Sequence, residues 1–529
     1  MDVGKKGQGP GLPFSSREQK LCSVDSHISS RPEPRLSKSR YLSGLQCDKR
    51  LWLGWHQPET KFSKAGSILA IGTEVGEAAR RLFPDGVLVA EGPKEFGLAL
   101  VRTRELVGNP SVSTIFEAAF EYDRVLVRAD IIRRLPGGGW GLMEVKSSTS
   151  AKPEHVDDLA VQTYVMRGAG IDVRSVCLVH VNREYERQGD MIDWSAYFNM
   201  VELTDQVEAA LASLPDRVRH MHSVLGRATA PHVEPSRHCF SPFECEFWTR
   251  CTESKPRDWV FYLRDLRAET ADELAAVGIE RMSLIPSDFA LTARQRAFAD
   301  CARLGQECLM ESLADALSGL GPPCSYLDFE TGAPALPLYP QTRPYQRIPF
   351  QWSLHRDLGA SELTHIEFLA DGRRDPRREF AETLISATAG DEPILVYSSY
   401  EDSVIAELCK SFPDLAPALG ALQSRLRDLL PIVRRTIIHP EFKGSYSIKA
   451  VAPVLAPEVR YDDLEEVADG AAASAAFYRL ATSQAGSNED AALLMESLRE
   501  YCRRDTLALA MVHRALRSRA GASDASSLI

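Results

Sequence analysis

The stretch CSYLDFETG, residues 324–332, predicts a β-strand that carries two carboxylates. Side chains two apart on a strand point to the same face, so Asp328 and Glu330 share one face while Leu327 and Phe329 share the other. Two adjacent carboxylates repel each other, and burying them is costly unless a cation neutralises them. The strand therefore predicts a site for a divalent metal ion.

The residues after this strand alternate between strand and helix patterns. FQWSLHRD (350–357), THIEFLA (364–370) and EPILVYS (392–398) predict further strands, and DPRREFAETLISATA (375–389) predicts a helix. Strands that alternate with helices indicate an α/β layered fold.

Two further acidic groups lie downstream. SLREYCRRDTLALAMVHRAL is strongly helical, and its Tyr501 and Asp505 are four residues apart, which places them on one helix face. A phenol one turn from a carboxylate can orient an attacking water. Where the strand EPILVYS gives way to a helix, an acidic pair, Glu401 and Asp402, lies at the junction.

These motifs, in this order, resemble the DnaQ-like DEDDy 3′→5′ exonucleases. The resemblance implies an RNase H-like fold and a pair of Mg²⁺ or Mn²⁺ ions. Asp328, Glu330 and Asp505 would be metal ligands, and Tyr501 would position the attacking water. The remaining ligand in such proteins is usually an Asp after an aromatic residue, so the resemblance favours Glu401, which follows Tyr400, with Asp402 and Asp428 as alternatives.

The segment GSYSIKAVAPVLAP also resembles a stretch that precedes the last helix in such proteins. Its Lys449 is a candidate phosphate contact, and a solvated lysine is the alternative.

A second acidic motif lies in ADIIRRLPGGGWGLMEVKSS, which predicts a β-hairpin with its turn at residues 136–139. Asp130 lies on the first strand, and Glu144 and Lys146 share a face of the second. This arrangement resembles the PD-(D/E)XK nucleases, in which the two carboxylates hold a metal and the lysine acts on the nucleophile and phosphate. Gln162 on the following helix resembles the catalytic glutamine of RecB-like members.

Four cysteines surround this motif. Cys47 precedes it, whereas Cys239, Cys245 and Cys251 follow it in HCFSPFECEFWTRC. One cysteine before the core and three after it resemble the iron–sulfur RecB-like nucleases, which implies four thiolates on a 4Fe–4S cluster. Zinc is the alternative, although structural zinc sites have shorter cysteine spacings.

Two departures from the RecB-like pattern are visible. Gly76, flanked by Glu74 and Glu77, stands where such nucleases carry a histidine, and Tyr164 follows Gln162 at an unusual spacing. An alternative function is therefore a nucleic-acid-binding scaffold in which one or both nuclease sites are degenerate.

From Leu36 to Arg517 the chain resembles a bacterial family that fuses these two nuclease modules and has no established substrate. Residues 1–35 are rich in Gly, Pro, Ser and charge and are expected to be a disordered leader. The resemblance implies a RecB-like PD-(D/E)XK domain of the restriction-endonuclease-like fold (36–252), a helical linker (253–320) and a DnaQ-like domain (321–518), and a flexible tail (519–529) is expected after them.

Composition limits the partners. The net charge of −11 argues against a passive nucleic-acid coat but not against a nuclease. Arg343 and Arg347, which alternate with aromatic residues, are candidate contacts for a nucleic acid. No apolar run is long enough for a membrane span and no signal peptide is visible, so a cytoplasmic location is expected. Single-stranded or end-containing DNA is the favoured substrate, with RNA processing as an alternative.

Overall fold

The computed structural model describes residues 34–59, 63–359, 362–461, 464 and 467–526. Nearly all of the predicted disordered leader lies outside these residues. The last helix continues to Ser526, beyond the end expected for the DnaQ-like domain at residue 518. Among the described residues, no helix combines the length and the apolar character that a membrane span requires.

The first unit is built on a seven-stranded mixed sheet. Its strands are β1 (Leu36–Ser37), β2 (Val87–Leu88), β3 (Thr114–Tyr122), β4 (Val125–Arg134), β5 (Trp140–Lys146), β6 (Val173–Val181) and β7 (Phe198–Glu202). The order is β2-β3-β4-β5-β6-β7, and β1 pairs with β4. β4 and β5 form the predicted antiparallel hairpin, which places Asp130 beside the strand that carries Glu144 and Lys146.

Nine helices of the described residues accompany this sheet. They are α1 (Lys38–Gln46), α2 (Asp48–His56), α3 (Ser63–Ala79), α4 (Phe96–Gly108), α5 (Pro153–Gly168), α6 (Trp194–Tyr197), α7 (Thr204–Leu211), α8 (Leu214–Leu225) and α9 (Trp248–Thr252). α5 packs against β3, β4 and β6, and α3 packs against β5. α5 therefore borders β4, which carries Asp130, and α3 borders β5, which carries Glu144 and Lys146.

The second unit is built on a five-stranded sheet with the order β11-β10-β9-β12-β13. Its strands are β9 (Cys324–Gly332), β10 (Ile348–Asp357), β11 (Thr364–Leu369), β12 (Ile394–Val396) and β13 (Leu426–Asp428). β9, β10 and β11 are antiparallel, whereas β12 and β13 run parallel to β9. The four strands predicted for this half are confirmed, as is the mixed α/β class.

Seven helices of the described residues surround this sheet. They are α13 (Arg377–Ala387), α14 (Tyr400–Ser411), α15 (Ala416–Gln423), α16 (Leu429–Thr436), α17 (Ile448–Leu455), α18 (Gly470–Ala481) and α19 (Asn488–Ser526). α18 and α19 pack against β9, and α19 also crosses β10.

The two faces of β9 differ as the alternation predicts. Leu327 and Phe329 are buried in an apolar cluster with side chains of α13, α14 and α15. Asp328 and Glu330 point to the opposite face, toward α19. One side of the strand therefore anchors the sheet, while the other side is available for a polar site.

The segment expected to be a helical linker is part of the second unit. It contains α10 (Ala268–Ala276), α11 (Ala293–Leu304), β8 (Cys308–Leu309) and α12 (Leu313–Ala316). β8 pairs with β14 (Ile437–Ile438), and side chains from residues 263–320 share a core with β9, α16, α17 and α19. The segment therefore stabilises the second unit instead of only connecting two units.

We predict that Leu327→Ala lowers the free energy of unfolding by about 2–5 kcal/mol, because it opens a cavity behind the acidic strand. Denaturant unfolding of the whole protein, monitored by circular dichroism, measures the change in free energy. Leu493→Ala is the matched control, since this leucine is 66% exposed. A Leu327 variant as stable as the control would contradict the packing described for β9.

Candidate active sites and cysteine cluster

Two carboxylates on β9 begin the C-terminal site. Asp328, with backbone and side chain counted together, is half-buried, and Glu330 is buried with 7% of its surface exposed. Burial raises the pKa of Asp328 well above its usual range, and the charges of Asp505 and Glu330 raise it further. Burial likewise raises the pKa of Glu330, followed by the charge of Asp505. A shared, poorly solvated position of this kind favours a bound cation.

Glu401 contributes a carboxylate from the first turn of α14. It is 3% exposed, and its Oε2 has no hydrogen-bond partner among the described residues. Burial, with a smaller contribution from the charge of Asp428, raises the pKa of Glu401 to about 8. Asp428 itself caps α16 by accepting from the backbone N–H of Leu430 at 2.9 Å. Asp402 is exposed and accepts from Gln423 at 2.9 Å, so it lies outside the site.

α19 supplies Tyr501 and Asp505. The hydroxyl of Tyr461 donates to Oδ1 of Asp505 at 2.8 Å, and Lys449 Nζ donates to the Tyr501 hydroxyl at 3.0 Å. Lys449 also donates to the carbonyl of Ala468 at 2.8 Å. Burial raises the pKa of Tyr501, and the charge of Asp505 raises it further, so the phenol is neutral. The predicted residues of this site come together, and Tyr461 is an addition that no sequence pattern indicated.

Cys502 is a second addition. One ligand atom each from Asp328, Glu330 and Cys502 lie within 4.8 Å of one another. The thiol lies 3.8 Å from Oδ2 of Asp328, and burial followed by the Asp328 charge raises its pKa well above the usual range. A neutral thiol is a weak donor to a carboxylate and a poor ligand for Mg²⁺. Cys502 therefore packs beside the carboxylates, and the carboxylates are the candidate ligands.

A cleft of about 580 Å³ opens beside this site. Asp328 and Glu401 line it together with Arg264, Arg434 and Tyr446. The carboxylates offer the oxygen ligands that Mg²⁺ and Mn²⁺ prefer, and the arginines offer charges for phosphate. The residues present therefore fit a divalent metal and a phosphate-bearing ligand.

The N-terminal site lies on β4 and β5. Lys146 Nζ lies 2.7 Å from Oε1 of Glu144, and Oδ2 of Asp130 accepts from the backbone N–H of Val145 at 2.7 Å. Burial, and after it the charge of Glu144, raise the pKa of Asp130 to about 7. The three residues predicted from the hairpin are therefore neighbours.

α5 adds two groups to this site. Gln162, as predicted, donates to Oε2 of Glu144 at 2.7 Å and to Oδ1 of Asp158 at 3.0 Å. Asp158, one helical turn before Gln162, also pairs with Lys146 at 2.5 Å. The spacing of four residues on α5 could have indicated Asp158. Tyr164 instead donates to Asp123 at 3.1 Å, away from the site.

Lys38, at the start of α1, is a residue of this site that the sequence did not indicate. Its Nζ lies 2.7 Å from Oε1 of Glu144 and 3.5 Å from Oδ1 of Asp158. Two ammonium groups, those of Lys38 and Lys146, therefore face three carboxylates. Burial alone would raise the pKa of Glu144, but the charges of Lys146 and Lys38 lower it overall.

Gly76, at the position expected to carry a histidine, lies beside the N-terminal site and lines an open cavity there. A Cβ at this position would meet no atom within 4 Å. Glu77 is exposed, while Glu74 accepts a hydrogen bond from the hydroxyl of Tyr478 on α18. Glu74 is therefore engaged at the contact between the two units.

The four predicted cysteines come together. Burial raises the pKa of the Cys239 thiol, and the neighbouring thiols of Cys47 and Cys251 raise it further. Burial also raises the pKa of Cys245 to about 11, with a smaller contribution from Cys239. Within the described part of the chain, no three of these thiols lie within 4.8 Å of one another.

Thiolates bind both structural zinc and 4Fe–4S clusters, so the chemistry of the four side chains fits either of the two candidate cofactors.

The two predicted nucleic-acid contacts, Arg343 and Arg347, are engaged in ion pairs. Arg343 pairs with Glu184 at 3.3 Å and with Glu186 at 3.2 Å, both in the first unit. Arg347 pairs with Glu407 at 2.5 Å, and its guanidinium lies 5.3 Å from the ring centre of Tyr400. The Arg343 ion pairs connect the two units, and the Arg347 contacts connect the segment before β10 to α14.

Comparison with known proteins gives limited information. A family model described as a domain of unknown function, DUF2779, matches residues 325–447, a range that includes Asp328, Glu330 and Glu401. No curated protein matches the sequence. The crystal structure of SSO0001 matches at 16% identity over 39% of this chain and 83% of that chain, with a TM-score of 0.17, which does not establish a shared fold.

We predict that metal binding at the C-terminal site strengthens as the pH rises from 6 to 8. The raised pKa of about 8 keeps Glu401 protonated near neutrality, and a metal must displace that proton. In EDTA the same group destabilises the fold as the pH rises from its unfolded pKa toward 8, because the charged form is buried. Thermal unfolding with and without Mn²⁺ at several pH values measures both effects.

Glu401→Gln is the control for this prediction, because its amide keeps the shape and does not titrate. In this variant the pH dependence of the Mn²⁺-induced rise in Tm should be smaller. The same pH dependence in the variant and the wild type would show that Glu401 is not the titrating ligand.

Proposed function

We propose that this chain is a metal-dependent nuclease whose C-terminal unit is a DnaQ-like 3′→5′ exonuclease acting on single-stranded or end-containing DNA. The observation that carries the proposal is the convergence of Asp328, Glu330, Glu401 and Asp505 from β9, α14 and α19. Each has a raised pKa because of burial, and Oε2 of Glu401 has no partner.

Each group of residues in the C-terminal site has its own proposed role. The four carboxylates would hold the metal ions. When bound, Mg²⁺ or Mn²⁺ would supply the positive charge that activates the attacking water and stabilises the leaving oxygen. The neutral Tyr501 hydroxyl would orient the attacking water. Lys449 donates to that hydroxyl and fixes its position. Arg264 and Arg434 of the adjoining cleft would bind phosphates of the strand.

The architecture supports an RNase H-like fold for this unit. Three antiparallel strands are followed by two strands parallel to the first, and helices cover both faces of the sheet. The proposed ligands lie on the central strand β9, at the start of α14 and on α19. Each element is thus required to complete the acidic cluster.

For the N-terminal unit we propose a RecB-like PD-(D/E)XK fold. Asp130, Glu144, Lys146 and Gln162 meet at one place, which supports the resemblance. A specific observation favours an alternative role for this site. Lys38 and Lys146 already pair with Glu144, so the site has a weaker need for a metal cation than the C-terminal site. Binding a nucleic-acid end without cutting it is therefore the second candidate function.

We further propose that Cys47, Cys239, Cys245 and Cys251 hold a 4Fe–4S cluster. Gln46, beside Cys47, donates to the carbonyl of Phe243 at 2.7 Å, so α1 and the cysteine segment already meet. A cluster at this place would fasten the two ends of the N-terminal unit together. Such a role is structural and needs no change in iron oxidation state.

We predict that Asp328→Ala lowers Mn²⁺-dependent exonuclease activity at least about 100-fold, since removal even of outer-shell groups of metal sites costs 10–100-fold. The assay follows shortening of a 5′-labelled single strand, which reveals digestion from the 3′ end, on DNA and RNA. Asp402→Ala is the matched control, because this neighbouring carboxylate is exposed and outside the site.

The control variant should retain wild-type activity. Undiminished digestion by the Asp328 variant would reject the exonuclease proposal. Lys146→Ala in the Asp328→Ala background tests the N-terminal site: any remaining cleavage that this second substitution abolishes belongs to that site.

We predict that anaerobically purified protein is brown and contains about four iron atoms per chain, as a 4Fe–4S cluster requires. Cys239→Ser should lose the colour and the iron. Cys177→Ser should keep both, because this cysteine lies on β6 and contacts Glu202 at 3.0 Å. A colourless protein with one zinc per chain would reject the cluster.

A further inference from the structure

A segment of the C-terminal unit extends onto the N-terminal unit. Residues 333–347, which we call the strap, connect β9 to β10. Arg187 Nη1 donates to the carbonyls of Pro337 at 2.9 Å and Leu338 at 2.7 Å. The hydroxyl of Tyr197 donates to the carbonyl of Ala335 at 3.0 Å. The strap is therefore held by the first unit although it belongs to the second.

Tyr345 of the strap has an unusual conformation. Its φ of +59° lies in the left-handed region, which tyrosine rarely adopts. Its N–H donates to the carbonyl of Pro334 at 2.9 Å, and its hydroxyl donates to the carbonyl of Ser147, directly after Lys146. Backbone conformations of this kind concentrate at functional sites. Here the conformation places a ring from one unit against the acidic strand of the other.

Tyr345 lines the cavity of the N-terminal site. The cavity has a volume of about 970 Å³, and Glu144 and Lys146 line it as well. A second ring, Phe243, lines the same cavity and is 42% exposed. Phe243 belongs to the cysteine segment, and its carbonyl is held by Gln46 at 2.7 Å. Two rings from separate parts of the chain therefore share a cavity with the acidic motif.

The cavity also contains cationic groups. Arg80, Lys152 and Arg183 line it in addition to Lys146. Arginine and lysine bind phosphates, whereas aromatic rings stack on bases without regard to their identity. A cavity of this size accommodates a ligand as large as a nucleotide. Phosphate-binding cations and stacking rings beside one acidic site are the features that recognise a single-stranded end.

We propose, on the basis of the nuclease function proposed above, that Tyr345 and Phe243 stack on bases of a single strand bound at the N-terminal site. Tyr345 is then a substrate-positioning residue that the C-terminal unit contributes to the N-terminal site. The N-terminal site is complete only when the strap is in place. The contact between the two units is thereby part of substrate binding and not only a connection.

Photo-crosslinking tests this placement directly. The full-length Asp328→Ala protein, with Ca²⁺ in place of Mg²⁺ to keep the strand uncut, is irradiated with oligo-dT 12-mers that each carry one 5-iodouracil. Mass spectrometry should find crosslinks at Tyr345 and Phe243. Crosslinks in the N-terminal unit that avoid both rings would overturn the proposed stacking and leave the nuclease proposal intact. Crosslinks found only in the C-terminal unit and not at Tyr345 would overturn the stacking and leave the exonuclease proposal intact, whereas the absence of crosslinks from both units would overturn both proposals.

Variants of Tyr345 test the energetic role. Tyr345→Ala should raise the oligonucleotide concentration for half-maximal crosslinking at Phe243 about tenfold, the effect of losing one stacked base. Tyr345→Phe keeps the ring and should stay within about twofold of the parent. Tyr122→Ala removes an exposed ring outside the cavity and is the matched control.

A probe in which every base except the iodouracil is replaced by an abasic spacer separates stacking from a structural role. With this probe, Tyr345→Ala and its parent should give equal half-maximal concentrations, because Tyr345 has no base to stack on. An equal tenfold loss with both probes would show that the substitution disturbs the fold, and no loss with either probe would show that Tyr345 binds no base. Each of these results would overturn the proposal.

Discussion

The burial of four carboxylates in one place is the constraint on which the C-terminal unit depends. Burial raises the pKa of Asp328, Glu330, Glu401 and Asp505, so the fold holds them in a position where their charge is costly. Without a cation, the site relieves this cost by taking up protons. A divalent ion relieves it by neutralisation, which ties metal binding, protonation and stability together.

The two acidic sites of this chain differ in how the repulsion among their buried carboxylates is reduced. In the C-terminal site, Lys449 donates to the Tyr501 hydroxyl, and its charge offsets only part of the rise in the pKa of Glu330 and Asp505. In the N-terminal site, Lys38 and Lys146 both pair with Glu144. The C-terminal cluster therefore has the stronger demand for a metal, and the N-terminal cluster is closer to neutrality within its own residues.

Local patterns were sufficient to predict much of both sites. The period of two on β9 placed Asp328 and Glu330, and the spacing of four on α19 placed Tyr501 and Asp505, because regular elements fix the direction of side chains. The choice among Glu401, Asp402 and Asp428 depended on which side chain is buried, which is exposed and which caps α16, and the sequence alone left this open.

Other parts of the sites depend on contacts between distant segments. Lys38 reaches Glu144 across 106 residues, and Tyr461 reaches Asp505 across 44. No periodicity records such contacts. The strap contains a second example. Its Arg343 and Arg347, which alternate with aromatic residues, suggested contacts with a nucleic acid. The tertiary structure instead pairs them with Glu186 and Glu407.

The central claim, that the acidic cluster on β9 is a metal site, is tested most directly by anomalous diffraction from crystals soaked in Mn²⁺. The account predicts anomalous density in contact with Asp328, with further ligands drawn from Glu330, Glu401 and Asp505. Density that is confined to Asp130 and Glu144, or that is missing from both clusters at saturating Mn²⁺, would contradict it.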